Sequence, residues 1–294
     1  MKTKLLKELV KPMGMKKLYS LPEDELIELI KRDWRIDDVP DFLYKMFKVS
    51  KTFTDGRPVF KIEPKGGASD RVIVFIHGGG GMLCPTIFHF HTAARLVRNT
   101  GAALYMPFYP LAPEHTLPEA CAWLDKAYED ITSRHSPKNI AVIGDSAGVS
   151  LGVSMCERSG KKPSAMVIIS PGAGIEKNDE KMRALEKKDV IISCRMVDII
   201  KKYWSGEMSA DDSAYNSAYT DFTGFPPILL YYGTNEIFYA YIGDVINEIR
   251  RFDIPLEIHE GKGLFHDWAI VGMLPEGKQA QNRICRFILE NTEG

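Results

Sequence analysis

Ile140-Ala141-Val142-Ile143-Gly144-Asp145-Ser146-Ala147-Gly148-Val149 joins a short apolar run to a serine with a glycine two residues away on either side. The apolar run predicts a strand, and Ala147 to Arg158 predicts a helix directly behind it. A serine on so tight a strand-to-helix turn has its hydroxyl lifted above the end of the sheet, which makes Ser146 a candidate nucleophile. An ordinary glycine-rich turn would read the same way over five residues, so the rest of the chain has to decide.

Outward from that stretch, further β-rich runs fall at Val59 to Ile62, Val72 to Ile76, Ala102 to Met106, Met166 to Ile169, Ile228 to Tyr232 and Leu256 to His259. Most are continuous rather than alternating, as in central strands covered on both faces. Helix-compatible segments lie between them, at Phe88 to Asn99, Leu117 to Ser133, Tyr241 to Arg251 and Gln279 to Glu290. This alternation predicts an α/β fold with a doubly wound, mostly parallel sheet, in which ligands bind at the carboxyl ends of the strands.

Residues 1 to about 50 read as largely helical, with a helix start at Ser20-Leu21-Pro22-Glu23 that puts Pro22 in the first turn. The expected organisation is an N-terminal helical cap segment at 1–52 and a core at 53–294. A charged, helix-compatible insertion at about 173–222, including Val190 to Trp204, interrupts the core. Long insertions in compact domains often act as lids, and an extended surface excursion is the alternative.

The chain has 294 residues and 38 basic against 39 acidic side chains, so no basic stripe points to nucleic acid. Five scattered cysteines without a C-x-x-C pair argue against a zinc site or a disulfide framework and for reduced thiols. Met1 to Arg35 mixes charges throughout, and no apolar stretch is long enough to span a bilayer. The expectation is a cytoplasmic protein without metal or organic cofactor, acting on a small molecule, with no stable membrane insertion. A homodimer is compatible with this reading.

Acyl transfer needs a nucleophile, a base, an acid to orient the base, and donors for the developing oxyanion. Val72 to Ile76 runs into His77-Gly78-Gly79-Gly80-Gly81, whose bare backbone can approach a ligand. A phosphate loop of Walker type does not fit, because around Gly160-Lys161 the first glycine is replaced by Met155 and the Ser or Thr by Lys162. His77 to Gly80, Tyr109-Pro110-Leu111-Ala112-Pro113-Glu114-His115 and Gly144 to Gly148 together resemble the hormone-sensitive-lipase-like esterases of the α/β-hydrolase fold, over about residues 55 to 292.

The resemblance implies a serine carboxylesterase with a helical cap, and an oxyanion hole from the amides of Gly79, Gly80 and Ala147. These hydrolases order their triad as serine, acid, histidine, so the base is sought late in the chain. His266, in Gly263-Leu264-Phe265-His266, matches the family's Gly-x-x-His loop, whereas His259 sits inside the last strand. Glu236 stands where the family usually has an aspartate; Asp244 and Asp267 are its rivals, and a solvated loop glutamate is the alternative.

Two further departures bear on substrate. Phe108-Tyr109-Pro110 replaces the family's Asp-Tyr-Arg, which predicts apolar packing in place of a polar pairing, and Gly81 stands where an aromatic residue is common. Phe88, Met196, Ile200, Trp204 and Phe238 are the candidate substrate-binding residues, with ordinary packing as their alternative. The expected substrates are short-chain acyl esters, cleaved through an acyl-enzyme. An amidase or arylformamidase remains open, as does a non-catalytic binding protein of the kind that loses the catalytic histidine.

Overall fold

In the computed structural model, which describes residues 15–33, 36–177 and 179–294, the continuous apolar runs become the middle of an eight-stranded sheet. Its strands are β1 (Lys48–Thr54), β2 (Arg57–Glu63), β3 (Val72–Ile76), β4 (Ala103–Pro107), β5 (Ile140–Asp145), β6 (Ala165–Ile169), β7 (Ile228–Gly233) and β8 (Leu256–Gly261). The spatial order is β1-β2-β4-β3-β5-β6-β7-β8. The pairs β1–β2 and β2–β4 are antiparallel, and every other pair is parallel. All residues of β3 to β7 are buried, which is why their side chains can be apolar on both faces.

Among the described residues three helices precede the sheet: α1 (Met15–Leu18), α2 (Glu23–Asp33) and α3 (Asp41–Met46). Within the core, α4 (Ile87–Thr100), α5 (Leu117–Arg134) and α6 (Ala147–Arg158) follow β3, β4 and β5. Between β6 and β7 lie α7 (Glu180–Glu186) and α8 (Cys194–Trp204), and α9 (Ile242–Arg250) and α10 (Pro275–Asn291) complete the chain. Among the described residues no helix is long and apolar enough to cross a membrane. All five cysteines are buried, and none forms a disulfide.

The helical reading of the first fifty residues stops at α3, because β1 begins at Lys48 and runs past residue 52. Its residues are mostly exposed, so it carries no apolar run to betray it. The available signal was the dipeptide Asp55-Gly56, whose φ values of 44° and 78° make the hairpin turn into β2. Residues 1–14 of that expectation lie outside the described residues. Pro22 sits one position earlier than expected: its carbonyl accepts the first helical bond, from Leu26 N–H at 2.9 Å, ahead of α2.

The stretch read as helix from Val190 becomes helical only at Cys194. Asp189 Oδ1 accepts the N–H groups of Ile191 at 2.8 Å and Ile192 at 2.9 Å, holding a turn, and the Ser193 hydroxyl then caps α8 by accepting Met196 N–H at 3.1 Å. The N-terminal helices are clipped to this region. Arg195 donates to the carbonyls of Tyr19 at 2.8 Å and Leu21 at 2.7 Å, Lys16 donates to the Glu186 carbonyl at 2.7 Å, and Glu23 binds Lys202 and Tyr203.

Candidate active site

Four loops at the carboxyl ends of β3, β5, β7 and β8 carry the candidate triad and oxyanion residues, and the parallel arrangement of these strands brings them together. Ser146 follows β5 directly with φ 49° and ψ −120°, a backbone conformation that costs a non-glycine residue strain and is held by its neighbours. Its N–H donates to the Ile169 carbonyl at 2.9 Å. Gly148 is required by space: a Cβ there would come within 2.1 Å of the Ile76 carbonyl oxygen, so α6 could not pack against the end of β3.

Ser146 Oγ lies 2.9 Å from His266 Nε2, and His266 Nδ1 lies 2.9 Å from Glu236 Oε2. With Nδ1–H donating to the carboxylate, Nε2 is left to accept the serine proton. All three side chains are buried. The loops bearing acid and base are also bonded to each other. Asn235 N–H donates to the Leu264 carbonyl at 2.9 Å, the Asn235 side chain to the Gly263 carbonyl at 2.9 Å, and Gly263 N–H to Thr234 Oγ1 at 2.8 Å.

The other candidates for the acid and base positions separate cleanly. Asp244 is partly exposed and pairs with Lys177 at 3.3 Å. His259 stacks on Tyr231 at 4.8 Å and binds Glu257 at 2.6 Å within β8. Asp267 is different, because its Oδ2 lies 3.3 Å from His266 Nε2, on the opposite ring nitrogen from Glu236.

Burial disfavours a charged His266 ring, but the charge of Asp267, the hydrogen bond and charge of Glu236, and the charge of Asp189 outweigh it and push the imidazole up to about 10. Burial, with Asp145, Glu236 and Asp189 nearby, pushes the Asp267 carboxyl up as well, against the pull of His266.

The glycine loop is fixed from beneath. Asp145 Oδ2 accepts Gly78 N–H at 3.0 Å and a bond from His89 Nε2 at 2.9 Å, while His89 Nδ1 accepts Thr86 N–H at 2.9 Å at the start of α4. His77 is buried, which together with nearby His89 depresses it to about 3 and keeps it neutral. Its ring stacks on Tyr109 at 4.4 Å, and the Tyr109 hydroxyl donates to the His77 carbonyl at 2.7 Å. Gly79, Gly80 and Gly81 all have positive φ, at 98°, 65° and 66°, so a side chain at any of them would be strained. Ala147 opens α6, and its amide has no acceptor within the helix.

Ser146 faces two small cavities. One, lined by Gly80, Ala147, Met196, Ile200, Trp204 and Phe238, has a volume of about 30 Å³; the other, lined by Gly79, Gly80, Phe88, Met196, His266 and Asp267, about 60 Å³. The structure therefore brings all five candidate substrate-binding residues to the serine. Sequence reasoning missed Met15, Ile191 and Ile192, which line the second cavity and were indistinguishable from packing residues. It also missed Asp189, whose Oδ2 accepts the N–H of Ile237 at 2.9 Å next to Glu236. A lone aspartate ending a run of charges gives no sign of being buried.

Both family departures have structural answers. A Cβ on Gly81 would come within 2.2 Å of the Trp204 ring, so an aromatic residue from α8 occupies the volume beside the glycine loop. The Phe108 ring packs on Phe60 at 4.7 Å, as expected of apolar replacement. Polar contact is nevertheless retained, because Arg57 of β2 donates to the carbonyls of Phe108 at 3.2 Å and Tyr109 at 3.3 Å.

Comparison with known proteins gives a family and a set of relatives. A family model for the alpha/beta hydrolase fold matches residues 73–270. An esterase of Acinetobacter venetianus is 27% identical over 233 residues, covering 76% of this chain and 77% of that protein. Among solved structures, a hormone-sensitive lipase from a metagenome library superposes with a TM-score of 0.83 at 20% identity, covering 99% of each chain. An esterase from the bacterial hormone-sensitive lipase family gives 0.81 at 24% identity, covering 97% of this chain and 98% of that one. The two structural likenesses are statements about fold.

Proposed function

The chain belongs to the α/β-hydrolase-fold family, with the hormone-sensitive-lipase-like esterases, and from that premise we propose that it is a serine carboxylesterase working through Ser146, His266 and Glu236. The observation that carries this reading is the continuous hydrogen-bonded array from Ser146 Oγ through both ring nitrogens of His266 to Glu236, opening onto two cavities.

His266 Nε2 takes the proton of Ser146 as Oγ attacks the ester carbonyl. The amides of Gly79, Gly80 and Ala147 hold the tetrahedral oxyanion, each such donor being worth about 3 to 4 kcal/mol in the transition state. His266 then protonates the departing alcohol. Water repeats the cycle on the acyl-enzyme and releases the acid. Glu236 keeps the ring in the tautomer that leaves Nε2 free and stabilises the imidazolium.

The cap consists of the N-terminal helices together with residues 173–222, clipped into one piece by Arg195 and Glu23. It covers Ser146 with Met196, Ile200 and Trp204. The cavity of about 30 Å³ beneath Met196, Ile200 and Trp204 is small, which supports short acyl chains. An assay of p-nitrophenyl esters over acyl lengths tests the reading: acetate and butyrate turn over, long chains do not, and Ser146→Ala abolishes turnover. Equal activity of Ser146→Ala and the parent protein would overturn it.

A further inference from the structure

Asp267 is a carboxylate the triad does not use. It sits at φ 59°, a left-handed conformation that glycine adopts without strain and that Asn and Asp tolerate, so backbone geometry does not call for a charged side chain here. Its N–H donates to Ser170 Oγ at 3.0 Å and its Oδ2 lies 3.3 Å from His266 Nε2. Oδ1 is buried and, among the described residues, has no hydrogen-bond partner. A buried oxygen left in that state destabilises the fold, and a ligand that donates to it recovers the loss.

Asp267 faces the second cavity, whose wall is otherwise mainly apolar, with Leu83, Phe88, Ile191, Ile192, Ile270 and Val271. The polar nitrogens of His89 in that wall are engaged with Thr86 and Asp145. On the proposed mechanism the leaving oxygen takes its proton from His266 Nε2, so the alcohol portion departs on the side where His266 is exposed. That is this cavity; the one lined by Trp204 and Phe238 lacks His266 and takes the acyl group. An ester oxygen placed at Nε2 is next to Asp267 Oδ2. A hydroxyl on the adjoining carbon, gauche to that oxygen, falls within hydrogen-bond reach of the carboxyl.

We propose that Asp267 is a specificity-determining residue which accepts a hydrogen bond from the alcohol portion, so that the preferred substrates are short-chain esters of alcohols bearing a hydroxyl on the second carbon. The proposal rests on the esterase reading. It deepens that reading by naming the alcohol that the site selects. A site built to receive a donor discriminates against the isostere lacking it far more strongly than an apolar pocket discriminates a methyl group.

The test compares 2-hydroxyethyl acetate with propyl acetate, which differ by hydroxyl against methyl and share one acyl-enzyme. The ratio of their kcat/KM values cancels any effect of a substitution on the common chemistry. The parent protein is expected to favour the hydroxylated ester about tenfold, the size of one net hydrogen bond. In Asp267→Gly the ratio falls to about one, and in Asp267→Asn, which keeps an acceptor and suits the same backbone conformation, it lies between the two.

Turnover of both esters with no preference in the parent, or with a preference unchanged in both variants, would overturn this assignment and leave the esterase reading standing. No turnover of either ester, or of the p-nitrophenyl esters, would overturn both.

Discussion

The carboxylate of Asp189 accepts the backbone N–H of Ile237 at 2.9 Å, joining the segment ahead of α8 to the residue that follows Glu236. The same carboxylate also holds the N–H groups of Ile191 and Ile192, two walls of the cavity at His266. One buried acid thus holds both the backbone next to the proposed triad acid and part of the lining of the cavity at His266. Burial raises its pKa, and the three N–H donors work against that rise.

Asp189→Ala is expected to leave three buried N–H groups without an acceptor. At about 1–3 kcal/mol each, partly relieved by relaxation, the loss of stability should be about 3 kcal/mol or more, read by urea unfolding. The kcat of the folded fraction should fall as well. Unchanged stability would show that the contact does not anchor the loop.

Replacement of the acid itself separates Glu236 from its sequence rival. Glu236→Gln should lower kcat by about 10⁴-fold without unfolding the protein, because an amide holds the imidazole in the wrong tautomer. Asp244→Asn, at a partly exposed residue paired with Lys177, should stay within about twofold of the parent on the same esters. The opposite pattern would move the role to Asp244.

The charges around His266 fix the pH dependence. The base works only when neutral, and Asp267, Glu236 and Asp189 favour its protonated form against the cost of burial. His89 and Asp145, bonded to each other, and Tyr215 are further titratable groups at the site. A raised folded-state pKa means that kcat/KM climbs with pH through a limb displaced to the alkaline side of the ordinary histidine value of 6.5, toward about 10. Removing a carboxylate lowers that pKa, so Asp267→Gly should move the limb toward neutrality in a pH–rate profile. A limb that stays in place would exclude Asp267 as the source of the displacement.

Arg195 offers a test of the cap as one piece. It spans from α8 to the Tyr19 and Leu21 carbonyls, so Arg195→Ala should loosen the N-terminal helices on α8, with Glu23 still bound to Lys202 and Tyr203. Because Met15 and Met196 both line the cavity at His266, KM for short esters should rise several-fold, with kcat changing much less. A fall in kcat alone would place the effect in the chemistry and not in the cap.

Much of the fold was legible because it rests on long apolar runs. β3, β5, β6 and β7 are buried on both faces, and burial of that kind leaves an uninterrupted trace in the sequence. β1 left none, since its outward side chains are exposed and its pairing depends on a two-residue turn. Ser146, His266 and Glu236 could be found because each follows a strand that was itself visible. Asp189 could not, because its importance arises from where the chain places it in space, between Ile191 and Ile237, and neither spacing nor charge reports that. The cavity walls at Met15 and Ile192 were hidden for the same reason.

The indole of Trp204 beside Gly81 couples two positions that lie far apart in the chain. There is one ring's worth of volume at that spot; Trp204 fills it, and a side chain at Gly81 could take it only by displacing that ring and accepting the strain of φ 66°. A lineage that shifts the ring from α8 to the glycine loop must pass through an ancestor with a hole or one with a collision, unless both codons change together. Mutant libraries that vary Gly81 with Trp204 held constant will therefore recover almost nothing, while libraries that shrink residue 204 at the same time open a route to differently shaped acyl sites.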